Sequence, residues 1–300
     1  MIPDFKDYDP INEKAITFGG KAYPKYDNIL ILAGGGGSGK GFAKDHAMAF
    51  NGKNFDVDEI KTQLSKFEEG SELDKDFVAD YGKHLSEIDF GNSDDVSNIH
   101  AFAKKHKIAK NMHNAFFKNQ ATKTQKDNCI FDVTLNDYPK FHDILSLATI
   151  GGYDTENIHI VWVLNKYENA KEQNKSRKRR VPEEVLKEAH EGVAKFFKYI
   201  ILDDQLRGTL PELGDIWIYF GSTNTGDVEL KKSENGGEYI SDYTVVQLKK
   251  KGEPLAKYDD IMNMEVKPKK YDDGDNGTAL QKRTLRELIN EYVPDSASEF

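Results

Sequence analysis

The sequence holds a single cysteine, Cys129, so no disulfide can form within the chain and a disulfide-stapled secreted class is disfavoured. No stretch approaches the roughly 20 consecutive apolar residues that a membrane-spanning helix needs. The opening MIPDFKDYDP has neither the basic start nor the apolar run of a secretory signal, so a cytoplasmic location and no membrane partner are expected. His46, His106 and His190 are scattered without metal-ligand spacing and read as surface or helix residues. There is no internal repeat. What is present is a chain of 300 residues, 38% apolar and 31% charged, enough for a large α/β core beneath a charged surface. Its net charge of -9 argues against a general nucleic-acid binder.

Short apolar runs alternate with helical patterns. NILILAG (28–34), NFDVDE (54–59), NCIFDVT (128–134), IHIVWVLN (158–165) and IWIYFGS (216–222) read as strands. Helices are expected over 40–50, 138–149 and 181–200, the last with Pro182 near its first turn. A polar, mostly helical stretch fills about 60–125. This order predicts an α/β fold of three layers, a mostly parallel sheet with helices on both faces. Residues 1–27 form an N-terminal extension, and 28–222 a core with the 60–125 insertion and a basic segment at 171–182. Residues 223–300 form a mixed C-terminal extension with one strand (243–250) and a closing helix (278–293).

The most informative segment is Gly34-Gly35-Gly36-Gly37-Ser38-Gly39-Lys40-Gly41, between the first strand and a helix. Glycines let a backbone wrap a phosphate with N–H groups turned inward, and a following helix start favours an anion. Lys40 is placed to reach the β- and γ-phosphates of ATP. A flexible glycine linker is the plainer alternative, but the flanking strand and helix disfavour it. One departure stands out: the hydroxyl residue that holds Mg²⁺ after the lysine is Gly41 here, followed by Phe42, where adenylate kinases follow Gly-Lys-Gly with Thr.

In such a sheet, chemistry collects at the carboxyl ends of the strands. Phe55-Asp56-Val57-Asp58-Glu59 closes the second strand, and alternation puts Asp56 and Asp58 on one side if that strand continues so far. A carboxylate there can accept the proton of an attacking hydroxyl. Ile130-Phe131-Asp132-Val133-Thr134-Leu135 closes the third strand. Asp132 would face Mg²⁺, through water, or the substrate, and Thr134 would share its face. Helix capping is the simpler role for Asp56 and Glu59. Behind a phosphate loop, function is favoured for Asp58 and Asp132.

These segments resemble, in order and spacing over roughly 28–200, the zeta-toxin and polynucleotide-kinase branch of the P-loop kinases. The resemblance implies ATP and Mg²⁺ as cofactors and Asp58 as the base for the accepting hydroxyl. It matches Asp132-Val133-Thr134-Leu135 to an acid-Gly-Thr-Leu segment, with Val133 and the Asp departing from the pattern. It also implies a lid of arginines before a helix that opens with Pro: Arg177, Arg179 and Arg180, then Val181-Pro182. These would clamp the phosphates during transfer.

The acceptor stays open. Lys104, Lys105, Lys107, Lys110, Lys118, Lys123 and Lys126, with His113, Phe116 and Phe117 among them, could track a polyanion with rings for stacking. Equally, they could form a solvated helix whose Ile108, Met112 and Phe116 face the core. The first option suits a nucleic-acid or nucleotide acceptor, as in polynucleotide kinases or phage kinases of hydroxymethylated DNA bases. The second suits a zeta-toxin-like nucleotide-sugar kinase held by an antitoxin. A regulatory ATPase with no acceptor would need neither Asp58 nor the arginines. Cys129, in a buried-type strand, reads as packing.

Overall fold

The computed structural model describes residues 16–18, 21–23, 26–44, 50, 52–176, 181–221, 230–232, 238–240, 244–266, 283–297 and 299–300. Two short strands, β1 (Ile16–Phe18) and β2 (Lys21–Tyr23), pair antiparallel outside the main sheet. The first long apolar run forms β3 (Ile29–Ala33), and a glycine turn leads from it into α1 (Lys40–Phe42). Next come β4 (Lys53–Phe55), α2 (Val57–Leu64), α3 (Glu72–Tyr81), α4 (Ser93–Lys105) and α5 (Ile108–Gln120). The chain then alternates: β5 (Cys129–Val133), α6 (Tyr138–Ile150), β6 (Ile158–Asn165), a helical pair α7 (Tyr167–Ser176) and α8 (Glu183–Leu202), α9 (Asp204–Thr209), and β7 (Ile216–Gly221). After a small pair, β8 (Leu230–Lys232) and β9 (Glu238–Ile240), come β10 (Thr244–Lys249), α10 (Tyr258–Met262), β11 (Glu265–Val266), β12 (Arg283–Thr284) and α11 (Leu285–Tyr292).

The main sheet has six strands in the order β10-β7-β6-β3-β5-β4. All neighbours are parallel except β10, which runs antiparallel to β7. The expected α/β architecture with a mostly parallel sheet is therefore what the chain adopts. β3 lies between β5 and β6, and the connection that leaves β3 runs toward β4 while the one that leaves its neighbour β5 runs the opposite way, to β6. Strands covered on both faces should read as continuous apolar runs, and all of β3 and β6 is buried. Ile29, Ile31 and Ala33 join one core, with α6, α8 and α11. Leu30 and Leu32 join the other, with Ala43 and Phe50. Trp162 of β6 stacks on Phe197 of α8, ring centroids 4.6 Å apart.

One strand ends earlier than the sequence pattern suggests. NFDVDE does not run to residue 59: β4 stops at Phe55 and α2 begins at Val57. The Asp56 carbonyl already accepts the Ile60 amide at 3.2 Å, a helix-entry position that Asp favours. Asp56 and Asp58 therefore do not share a strand face. The strand expected at 243–250 does form, and it extends the main sheet as its antiparallel edge. The closing helix is α11, whose Thr284 and Glu287 make a reciprocal capping box and whose Tyr292 ring meets Phe220 edge-on at 5.1 Å. Among the described residues no helix is long and apolar enough to cross a membrane.

At the amino ends of the strands, Lys249 is only 2% exposed. Its ammonium donates to the carbonyls of Leu213, Lys250 and Gly214 at 2.8, 3.1 and 3.3 Å. Removing a buried donor leaves its acceptors unsatisfied, so Lys249→Met is expected to cost about 1–3 kcal/mol. Urea unfolding would read this as a lowered midpoint. An unchanged midpoint would mean that other groups satisfy these carbonyls.

Candidate active site

The loop from Gly34 to Gly41 leaves β3 where the sheet order reverses, at the carboxyl ends of the strands, which is where open α/β sheets bind ligands. Gly36 and Gly37 make a turn, with the Ser38 amide bonded to the Gly35 carbonyl at 3.3 Å. Gly39 has φ +88°, which glycine adopts without strain, and the chain enters α1 at Lys40. The loop is seated closely on its neighbours. A Cβ on Gly34 would lie 2.8 Å from the Val163 carbonyl oxygen of β6, and one on Gly37 2.8 Å from that of Ala170 in α7. The side-chain amide of Asn165, the last residue of β6, donates to the Gly37 carbonyl at 3.4 Å. Ser38 is 2% exposed, and its hydroxyl has no hydrogen-bond partner among the described residues.

Lys40 folds back over this loop. Its ammonium donates to the carbonyls of Gly34 and Gly35 at 2.7 and 3.1 Å and lies 3.6 Å from the Asp132 carboxylate. Asp132, near the end of β5, is mostly buried, and that burial pushes its pKa up. The Lys40 charge opposes the rise, while the Asp56 carboxylate adds to it. The structure thus gathers Lys40, Asp132 and Asp56 at one end of the sheet. Thr134 follows just beyond β5, half-buried, and Leu135 after it has φ +49°, a strained conformation for a bulky residue.

Asp58 lies in the first turn of α2, not on a strand, and its side chain is outside the described residues, as is that of Glu59. Arg177, Arg179, Arg180 and His46 also lie outside them. Gly41 sits exposed on α1. Cys129 is fully buried, and burial pushes its thiol up to about 12, so it is packing and no nucleophile.

His190 is the site residue that the sequence pattern did not single out. It is a helix residue as expected, but it is buried at 5% exposure and not at the surface. Its Nε2 lies 2.8 Å from the Gly36 carbonyl. Metal-ligand spacing offered no clue, because His190 acts on a backbone. The usable signal was its place on the apolar stripe of α8, with Leu186 one turn before and Val193 and Phe197 after.

The lysine-rich segment is more constrained than a free cationic track. Lys105 is held by Asp80 at 2.6 Å, Lys123 by Asp127 at 2.7 Å and Lys126 by Asp27 at 3.5 Å. Phe117 is fully buried, and Phe116 packs edge-on against Phe55 at 5.1 Å. Those rings belong to the core and are not open for stacking. Met112, expected to face the core in the plainer option, is 41% exposed.

The residues present fit a nucleotide and a hard cation. A glycine turn with the Lys40 ammonium folded against it suits the cradling of an anion. Among the described residues no three His, Cys, Asp or Glu side chains converge as a metal site. Mg²⁺ suits that arrangement because it binds through one or two carboxylates together with substrate phosphates, and Asp132 is the carboxylate at hand.

No protein-family model and no curated protein matches this sequence. Among solved structures, the chain is similar to one in the AvrRxo1-ORF1:-ORF2 complex with ATP, at 14% identity and a TM-score of 0.42. That match covers 77% of this chain and 60% of the other. The native form of the same complex matches at 13% identity and a TM-score of 0.46, covering 90% and 72%. A structure of the PezAT chromosomal toxin–antitoxin system of Streptococcus pneumoniae matches at 15% identity and a TM-score of 0.40, covering 67% and 71%. The chain thus spans less than two thirds of the length of the ATP-bound chain it resembles.

Proposed function

We propose that this chain is an ATP-dependent kinase that moves the γ-phosphoryl group onto a hydroxyl of a nucleic acid or nucleotide. The observation that supports this reading is the glycine loop at the switch point of a mostly parallel sheet, with the Lys40 ammonium 3.6 Å from the partly buried Asp132 carboxylate. Phosphoryl transfer asks a protein mainly for positioning and for charge placed where charge develops.

In this reading the backbone of 34–41 receives the phosphates. Lys40 leaves the Gly34 and Gly35 carbonyls to contact the β/γ oxygens. Asp58 orients the acceptor hydroxyl and takes its proton as the acceptor oxygen bonds to the γ-phosphorus and the bond to the ADP oxygen breaks. Asp132 holds Mg²⁺ through water or contacts the acceptor, and Asp56 adds negative charge beside it. Arg177, Arg179 and Arg180 close over the transferring group. Mg²⁺, when bound, neutralises the phosphate charge.

Asp58→Asn is expected to leave ATP affinity intact and to slow turnover by about 10²–10⁴-fold, the usual weight of a general base. Isothermal titration beside a transfer assay would separate the two effects, and turnover at the wild-type rate would remove Asp58 as the base.

A second reading keeps the chemistry and changes the acceptor to a nucleotide sugar, with an inhibitory antitoxin partner. The segment Asp132-Val133-Thr134-Leu135, which resembles the acid-Gly-Thr-Leu stretch of zeta toxins, favours it. Incubation with γ-labelled ATP and Mg²⁺ would decide. The acceptors would be 5′-hydroxyl DNA and RNA, hydroxymethylated-base DNA, nucleosides and UDP-sugars, with Lys40→Ala as the blank. Label on a nucleic acid or nucleoside supports the first reading, and label on a UDP-sugar the second. Phosphate release with no labelled acceptor points to a regulatory ATPase.

A further inference from the structure

Three features press on the underside of the phosphate loop from one helix face. His190 and Leu186 are four residues apart on α8, so they point the same way. The His190 Nε2 lies 2.8 Å from the Gly36 carbonyl oxygen. A carbonyl only accepts, so Nε2 must be the protonated nitrogen and the donor. The imidazole also occupies the space beside Gly35, where a Cβ would come within 2.2 Å of the ring. A Cβ on Gly36 would meet the Leu186 side chain at 2.9 Å. Burial holds the His190 pKa down, opposed by the hydrogen bond to the Gly36 carbonyl and aided by the Lys40 charge.

A loop that cradles phosphate turns its N–H groups inward, which leaves its carbonyls facing outward and in need of donors. We infer that His190 is a positioning residue for the phosphate loop: its Nε2–H holds the Gly36 carbonyl outward, and its ring fixes the Gly35–Gly36 backbone, so that the loop meets ATP already shaped. Pre-organisation of this kind raises affinity by removing the cost of ordering on binding. The inference rests on reading 34–41 as an ATP site and adds a residue to it. Elsewhere on α8, a Cβ on Gly192 would lie 2.7 Å from the Asn136 side chain. One helix therefore touches both the phosphate loop and the turn that follows Asp132.

The test uses the full chain with ATP and three substitutions. His190→Leu keeps bulk and removes the donor. His190→Gln keeps an amide donor able to reach Gly36. His190→Asn keeps a polar amide too short to reach it, and it stands in if the Leu variant does not fold. ATP affinity is measured by titration calorimetry, and KM for ATP and kcat by transfer or hydrolysis.

The donor-less variants are expected to bind ATP about tenfold more weakly, the equivalent of one 1.4 kcal/mol hydrogen bond. KM should rise in parallel and kcat change by less than about threefold, as for loss of uniform binding. His190→Gln should recover most of the affinity. Wild-type affinity in the Leu or Asn variant would overturn the inference, as would equal losses in Gln, Leu and Asn, which would reduce His190 to packing. A wild-type protein that binds no ATP would overturn the reading of the loop itself, and with it the inference.

Discussion

Lys40→Ala is expected to lower phosphoryl transfer by about a thousandfold, the upper range for removing one charge-stabilising donor from a preorganised site. The same change strips Asp132 of the ammonium that opposes its burial. Its carboxyl pKa should then rise further, because burial and the Asp56 repulsion both disfavour the charged form and only the weaker Lys44 attraction opposes them. The variant should therefore lose activity without a large loss of stability, since the partly buried acid can take up a proton. Single-turnover transfer from γ-labelled ATP, run beside a thermal melt, measures both. A Lys40→Ala protein that keeps transfer within about tenfold of wild type would contradict the role given to the lysine, because one lost donor alone predicts a larger deficit.

Asp132→Asn comes next in size. Asn has the same shape and cannot ionise, so the substitution removes a charge from a site where burial makes that charge costly. The expected result is transfer lowered by about a hundredfold, at the low end for one electrostatic group, with a melting temperature equal to or above wild type. The pH dependence follows from the same shift. An acid whose pKa is raised becomes protonated at a higher pH than usual on acidification. Activity that needs the Asp132 carboxylate should then fall away above the range of an ordinary Asp, about 3.9. The acid limb of kcat/KM for ATP measures that pKa in the free enzyme, and the residual activity of Asp132→Asn should lack it. An acid limb unchanged in Asp132→Asn would assign it to another group.

Much of the scaffold was legible because two faces of burial write themselves as uninterrupted apolar runs. IHIVWVLN becomes β6 at 158–165 residue for residue, and NILILAG and NCIFDVT centre on β3 and β5. The glycine loop was legible because its residue types serve a backbone conformation more than a partner. NFDVDE was misjudged at its end because alternation of Phe55, Val57 and the acids suits a strand as well as a helix entrance, and Asp56 resolves the ambiguity toward the helix. The proximity of Asp56 to Asp132 depends on β4 lying next to β5. His190 was illegible for another reason. Its partner is the Gly36 carbonyl, 154 positions earlier, and a backbone oxygen leaves no mark on the pattern of side chains. The lysines between 104 and 126 look like one basic strip in the sequence, yet Asp80, Asp127 and Asp27 come from both flanks to neutralise part of it.

The two borders of the six-stranded sheet also bear on how this protein meets other copies of itself. At one border β4 is only Lys53–Phe55, with Lys53 exposed. At the other, β10 slips register between Gln247 and Lys249. A short strand, a lysine and a bulge are each known to frustrate strand-by-strand templating between molecules. The chain should therefore resist edge-to-edge stacking into fibrils even when concentrated, and a protein that docks here is better served by helix faces than by adding a seventh strand.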